Sequence, residues 1–268
     1  MSSTNKESLI KFKRLGVELF NMLSKAKIKY IKSLHVKKHR VKEKLFFVEG
    51  AKSVIEFIES KFTTAIVYGT DLFWKQNEKL LREQKVVFEI ATEKELIQAG
   101  TLNSNNAAIA LVNMPVLKEL VLAKTDWTLA LDTINDPGNL GTIIRIADWY
   151  GIQQILISTN SADVYNPKVV NTTKGSLTRV HINYVDLPKT LSAYKGLIIG
   201  ADMVGEDVHT FKPKEKGVII MGGESHGISQ EVQKLLTTKI TIPRIGSAES
   251  LNVAVATAII CDNIVRVN

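Results

Sequence analysis

The sequence predicts two α/β units, a small basic one followed by a larger one built on a mostly parallel sheet with helices on both faces. Three observations predict it. Strand-like runs alternate with helical stretches along most of the chain. The second half carries near-continuous apolar runs, such as WTLALDTI (127–134) and GVIIMGG (217–223), which are typical of strands covered on both faces. The charge is also divided. Residues 1–115 hold 20 basic and 12 acidic side chains, whereas residues 116–268 hold 15 of each. The net charge of +8 thus belongs to the first part, most densely to residues 1–45 with 13 basic and 3 acidic side chains. That division speaks against a uniformly basic protein and suggests a basic module joined to a neutral one.

The elements follow in order. Leu9, Phe12, Leu15, Leu19, Leu23 and Ile28 recur at helical spacing up to about Leu34. Met22 opens a second plausible beginning, which makes residues 1–22 an extension. LFFVEG (45–50) reads as a strand, followed by a helix from near Gly50, a strand at 64–70, a helix at 74–84 and a strand at 86–91. Thr92 and Glu95 form a capping box for the next helix, and a strand at 107–115 ends at Pro115. These elements make a first domain of 23–115, joined by a linker of 116–125 to a second domain of 126–268. There, strands are expected at 127–134, 153–159, 181–187, 197–203, 217–223 and 239–244. Helices are expected near 139–150, 166–174, 188–195, 228–237 and 250–266.

Several classes are excluded. No apolar run approaches the roughly 18 to 20 residues of a membrane span, and the N-terminus lacks the apolar core of a signal peptide. With one cysteine, Cys261, there is no intrachain disulfide and no cysteine-rich zinc site, so a reduced cytoplasmic setting without a metal is expected. The dinucleotide, P-loop and zinc-hydrolase motifs are absent. Gly223-Glu-Ser-His-Gly227 matches the hydrolase elbow, but the only histidine after Ser225 is its neighbour His226, which cannot fold back as its base.

Parallel sheets bind ligands in the loops beyond the C-terminal ends of their strands, and three such loops stand out. In Asp136-Pro-Gly-Asn-Leu-Gly141 the Pro-Gly pair forces a turn and Asn139 is placed to cap the helix; a plain capped connection explains that much. Arg145, alone in an otherwise apolar helix, needs a partner or recognises an anion. In Gly222-Gly-Glu-Ser-His-Gly227 the glycines let a ligand approach the backbone, with Glu224 as the functional carboxylate; a plain turn is the competing reading. In the loop 242–252, Ser250 suits a helix N-cap, which leaves the Asn252 amide to find other partners.

DPGNLGTIIRIADWYG (136–151), IMGGESHGIS (220–229) and IPRIGSAESLNVAVATAI (242–259), in this order, resemble the three signature motifs of the SpoU (TrmH-like) RNA ribose 2′-O-methyltransferases. KIKYIKSLHVKKHRVKEKLFFVEGAKSV (27–54) is similar to that family's substrate-binding domain, so the resemblance covers about residue 23 to 268. It implies a methyltransferase domain of the α/β-knot type, with its C-terminal part threaded as a trefoil, S-adenosylmethionine as cofactor and a homodimer whose sites are completed across the interface. Residue by residue, it implies catalytic roles for Asn139, Arg145, Glu224, Ser250 and Asn252. Gly222, Ile242 and Leu251 match cofactor-contacting positions, and Gly223 joins them as the second glycine of its loop. The basic first domain offers Lys37, Lys38, Arg40, Lys42 and Lys44 for RNA phosphates; a solubilising surface is the alternative. Ribosomal RNA is expected over tRNA, and an inactive RNA-binding or assembly factor on the same fold is the other function class.

Overall fold

The computed structural model describes residues 23–116 and 120–266. The expected helical start before residue 23 and the extension 1–22 lie outside them. The described residues divide into two compact units, 23–116 with 165–178, and 120–164 with 179–266.

The first unit opens with helices α1 (Lys25–Ser33) and α2 (Lys37–Glu43), then runs β1 (Leu45–Glu49), α3 (Ala51–Ile58), β2 (Thr64–Gly69), α4 (Asp71–Glu83), β3 (Phe88–Ile90), α5 (Glu93–Ala99) and β4 (Ala108–Asn113). The strands form one sheet in the order β1-β4-β2-β3, with β4 antiparallel to both neighbours and β2 parallel to β3. One side of the sheet packs on α1 and α5 through Ile31, Leu34, Phe47, Leu96, Ile109 and Leu111. The capping box forms with both of its hydrogen bonds, Thr92 accepting from the Glu95 amide and the Glu95 carboxylate accepting from that of Thr92. The sequence pattern did not mark α2, which has no side-chain N-cap and stops where Lys44 turns left-handed at φ 53°.

Arg40 departs from its expected place on the basic surface. It is 2% exposed, and its guanidinium donates to the backbone carbonyls of Leu34 and His35, each at 2.8 Å. These carbonyls lie just beyond the end of α1, where unpaired carbonyls attract a cation. The residue is spent on holding α1 to α2.

The segment 165–178, expected in the second domain, packs with the first unit. It contains helix α7 (Pro167–Thr173) and a 3₁₀ turn (Ser176–Thr178). Tyr165 stacks near Phe46 with ring centroids 4.6 Å apart. Glu49, buried at the end of β1, accepts from the Thr101 amide at 3.0 Å and from Asn171 Nδ2 at 2.7 Å. This buried carboxylate is stabilised by donors converging from two other segments, which offset its desolvation. Glu49→Ala orphans those donors and is expected to cost about 3 kcal/mol of stability. Denaturant unfolding checks it, and an unchanged midpoint would contradict the clamp.

The second unit comprises β5 (Thr128–Asp132), α6 (Pro137–Trp149), β6 (Gln154–Ser158), β7 (His181–Val185), α8 (Leu187–Ala193), β8 (Leu197–Asp207), β9 (Gly217–Gly222), α9 (Gln230–Gln233), β10 (Thr238–Thr241) and α10 (Val253–Ile264). Its sheet runs β10-β8-β9-β5-β6-β7, every pair parallel. From β5 the chain moves outward to β6 and β7, then crosses to β8 and β9 on the other side. The order therefore reverses between β5 and β9, the position where such sheets open a ligand crevice. The β5–β9 register pairs Asp132 with Gly222, which sets the loops that follow them side by side. From edge strand β10 the chain returns to α10, packed on α6 and β9; this return is the segment the resemblance expects to be threaded. The helix expected at 228–237 is only one turn long. Thr237 ends it by pairing with Ile198, its amide and hydroxyl donating to the carbonyl and its Oγ1 accepting from the amide, each at 2.9 Å, which draws the chain into β10.

Candidate active site

The first loop is shaped by Asp136. Its carboxylate accepts from the Asn139 amide at 2.8 Å, so Asp136 is the N-cap of α6 and Pro137 follows at the first helical position. The cap expected of Asn139 thus falls to Asp136, and the Asn139 side chain is freed for other use. The third loop corrects a second expectation in the same way. Asn252, not Ser250, caps α10, its Oδ1 accepting from the amides of Ala254 at 3.0 Å and Val255 at 3.3 Å.

The Asn252 amide has a second face. Its Nδ2 donates to Asn139 Oδ1 at 3.0 Å and to Glu224 Oε1 at 3.3 Å, while Asn139 Nδ2 donates to the same Glu224 oxygen. One residue from each loop therefore meets in a closed triangle, although 113 positions separate Asn139 from Asn252. Both amides are oriented by the cluster, and among the described residues Glu224 Oε2 makes no hydrogen bond. The carboxylate is thereby aimed and half engaged, with one oxygen left to accept.

The glycines of the second loop serve the chain first. A Cβ at Gly222 would lie 2.1 Å from the Gly227 carbonyl carbon, and one at Gly223 would lie 2.3 Å from the Thr133 carbonyl oxygen. The loop doubles back on itself, with the Gly227 amide donating to the Gly223 carbonyl at 2.8 Å. Close backbone approach, rather than a ligand alone, requires glycine there. Asp132 locks the turn from the end of β5, its carboxylate accepting from the Ser229 amide at 2.8 Å.

Two cavities flank this loop. The larger, about 580 Å³, is lined by Gly222, Gly223, Glu224, Ile242, Ser250 and Leu251 among others. It thus gathers all four expected cofactor positions with two of the expected catalytic ones. Its apolar wall includes Met221, Val253, Ala256 and Ile260, and Asp202 lies on its rim. The Asp202 carboxyl is held below the ordinary carboxylate range, chiefly by its hydrogen bond from the Lys239 ammonium at 2.6 Å. The smaller cavity, about 330 Å³, lies against Asn139 and Glu224.

Arg145 stands apart. It is exposed on α6, lines neither cavity, and makes no hydrogen bond or ion pair among the described residues. Trp149, one helical turn on, is 84% exposed. Lys37, Lys38, Lys42 and Lys44 are all exposed on α2 and its C-cap. Cys261 is buried in α10 with its thiol pushed up to about 12 by burial, so it is chemically quiet. Among the described residues no group of three or more His, Cys, Asp or Glu is placed to hold a metal ion, and no helix is long and apolar enough to cross a membrane.

The sequence reading passed over Asp132, Thr133 and Asn160. Asp132 had a legible signal, a carboxylate ending an apolar strand. Thr133 and Asn160 had none, since their importance comes from loops that meet only in the fold.

Residues 126–262 match the SpoU rRNA methylase family, and residues 25–120 match an MRM3-like substrate-binding domain. The 23S rRNA (guanosine(2553)-2′-O)-methyltransferase RlmP of Bacillus subtilis is 30% identical over 87% of this chain and 94% of its own length. The 23S rRNA (uridine(2479)-2′-O)-methyltransferase of Streptomyces viridochromogenes is 29% identical over 80% of each chain. Among solved structures, a TrmH-family protein from Porphyromonas gingivalis superposes with a TM-score of 0.79 at 34% identity, covering 91% of this chain and 98% of its own. An AdoMet-bound rRNA methyltransferase from Sinorhizobium meliloti superposes with a TM-score of 0.82 at 25% identity, over 92% and 97%.

Proposed function

Because the chain belongs to the SpoU rRNA methylase family, we propose that it methylates a ribose 2′-hydroxyl of ribosomal RNA in the cytoplasm, using S-adenosylmethionine. The observation that carries this reading is the Asn139–Glu224–Asn252 triangle, set against a cavity that gathers the expected cofactor positions. Both relatives named above act on 23S rRNA, which favours ribosomal RNA over tRNA, although one methylates a guanosine and the other a uridine.

The larger cavity suits S-adenosylmethionine in size and chemistry. Its apolar wall of Met221, Ile242, Leu251 and Val253 can take a flat heterocycle, while Asp202 and Glu224 set anionic groups where a cationic ligand needs them. When bound, the cofactor supplies an electrophilic methyl group. The chain's own contribution is mainly positional. Glu224, fixed by the two amides, keeps Oε2 free to accept a hydrogen bond from the attacking hydroxyl, and Ser250 stands on the same cavity wall. Arg145 carries a planar fork of N–H donors and no acceptor, and serves as a bidentate clamp on the phosphate next to the target ribose. Its exposed position on α6, outside both cavities, suits delivery to the site of a second copy in a homodimer. The exposed Trp149 and Val255, on the packed helices α6 and α10, are the apolar surface that copy would cover.

Two measurements test the reading. Calorimetric titration with S-adenosylmethionine is expected to show saturable binding. Mapping of 2′-O-methyl groups is expected to show one site lost from the ribosomal RNA of cells lacking the protein and restored by wild-type protein. Arg145→Lys, which keeps the charge but not the fork, is expected to lower turnover at least about tenfold; full turnover would refute the clamp. An inactive assembly factor would leave the methylation map unchanged.

A further inference from the structure

We propose that the smaller cavity is the pocket of the target nucleoside, and that Asn135 and Asn160 read its base. The inference rests on the larger cavity being the methyl donor's site.

Position comes first. The two cavities share Gly223, Glu224, His226, Gly227 and Val253 as common wall. A group filling the smaller one therefore reaches Glu224 from the side away from the donor. In-line transfer needs the attacking oxygen within roughly 3–3.5 Å of the methyl carbon. The ribose that carries it must lie beside Glu224, and its base must extend about one ring further. At about 330 Å³ the smaller cavity falls within the range of small-ligand pockets.

Charge then selects the ligand. Asp136 and Glu224 line this cavity, and no lysine or arginine does. Such a wall repels a phosphate and welcomes neutral groups with N–H and O–H donors, as a ribose and a base have. The phosphates would remain outside this cavity.

The remaining wall can discriminate. Asn135 is exposed and makes no hydrogen bond among the described residues, so both faces of its amide are available. Asn160 donates through Nδ2 to Thr133 Oγ1 at 3.1 Å, which leaves its Oδ1 to accept. An asparagine amide offers a donor and an acceptor side by side, the pattern that base edges complement. The wall is also held rigid. Thr133 sits at φ 62°, a strained conformation for a β-branched residue, and is pinned by its amide donating to Ser158 Oγ at 2.8 Å and by Asn160. Rigid placement is what lets a lost hydrogen bond translate into discrimination.

The test uses ribosomal RNA transcripts spanning the mapped target, made in four versions that differ only in the target base, with methyl-labelled S-adenosylmethionine. Wild-type protein is expected to prefer one base. Asn135→Ala and Asn160→Ala are each expected to lower kcat/KM on the preferred transcript by about tenfold to a hundredfold and to narrow the preference among the four. Asn135→Ala is further expected to leave S-adenosylmethionine affinity and Tm unchanged, which a merely structural role would not predict for the base preference. Equal use of all four transcripts by wild type, or unaltered preference in both variants with normal cofactor binding, would overturn the pocket while leaving the larger cavity's assignment standing. Failure of wild type to bind S-adenosylmethionine would overturn that assignment and the pocket with it.

Discussion

Asn252→Ala is expected to lower methyl transfer at least about a hundredfold, the scale seen when one aimed hydrogen-bond donor is removed from a catalytic site. The same substitution removes the N-cap of α10, whose Oδ1 accepts from Ala254 and Val255. It should therefore also cost about 1 kcal/mol of stability, roughly 2–4 °C in Tm for a chain of this size. The two effects can be separated. Asn252→Ser keeps a capping oxygen but has no amide to donate to Asn139 and Glu224. Its Tm is expected to return to near wild type while its turnover stays low. Full turnover in Asn252→Ser would mean that the amide acts only as a cap and that the triangle is incidental to transfer. Kinetics with labelled S-adenosylmethionine and thermal unfolding of the same preparations decide between these results.

The second large effect is expected from the basic helix of the first unit. Reversing Lys37, Lys38, Lys42 and Lys44 to glutamate should weaken RNA binding by at least about a hundredfold at moderate salt. It should also flatten the dependence of affinity on salt by roughly three counterions, because each phosphate contact releases about 0.7 to 0.9 of one. All four side chains are exposed, so Tm and S-adenosylmethionine affinity should change little. Unchanged RNA affinity and salt slope in the quadruple variant would assign these lysines to solubility alone. Arg40 is left out because it is buried and holds the Leu34 and His35 carbonyls; its loss would report on folding. Deleting residues 1–115 is a poorer test than charge reversal. It would strip Phe46 from Tyr165 and Glu49 from Asn171, exposing surface on the part that remains.

What the sequence determined by itself is whatever depends on neighbours along the chain. Alternation of strand-like and helical runs located the ten strands of the two sheets, most plainly the central β5 and β9, whose residues are buried almost throughout. The Thr92–Glu95 box closes as read because its partners are three residues apart and need only a helix to meet. The charge division was legible for the same reason, being a count along the chain. The three signature loops were legible too, as short contiguous strings whose family resemblance includes Asn139, Glu224 and Asn252.

Only the tertiary structure decided what those residues do, because their partners come from distant segments. Asn139 and Ser250 looked like caps by local rules, yet Asp136 and Asn252 hold those places, and the choice frees or binds an amide according to how three loops converge. Gly222 and Gly223 read as openings for a ligand, but the nearest obstacles are Gly227 and Thr133, one on a different strand's loop. Arg40 counted as surface charge until the approach of α1 to α2 buried it. Asn171 belongs by sequence to the methyltransferase half, yet it bonds Glu49, 122 residues away, in the first unit. The β5–β9 pairing joins strands separated by some 85 residues and so sets the Asn139 loop beside that of Glu224. No local pattern encodes that register, which comes from the apolar faces of six parallel strands finding one common core.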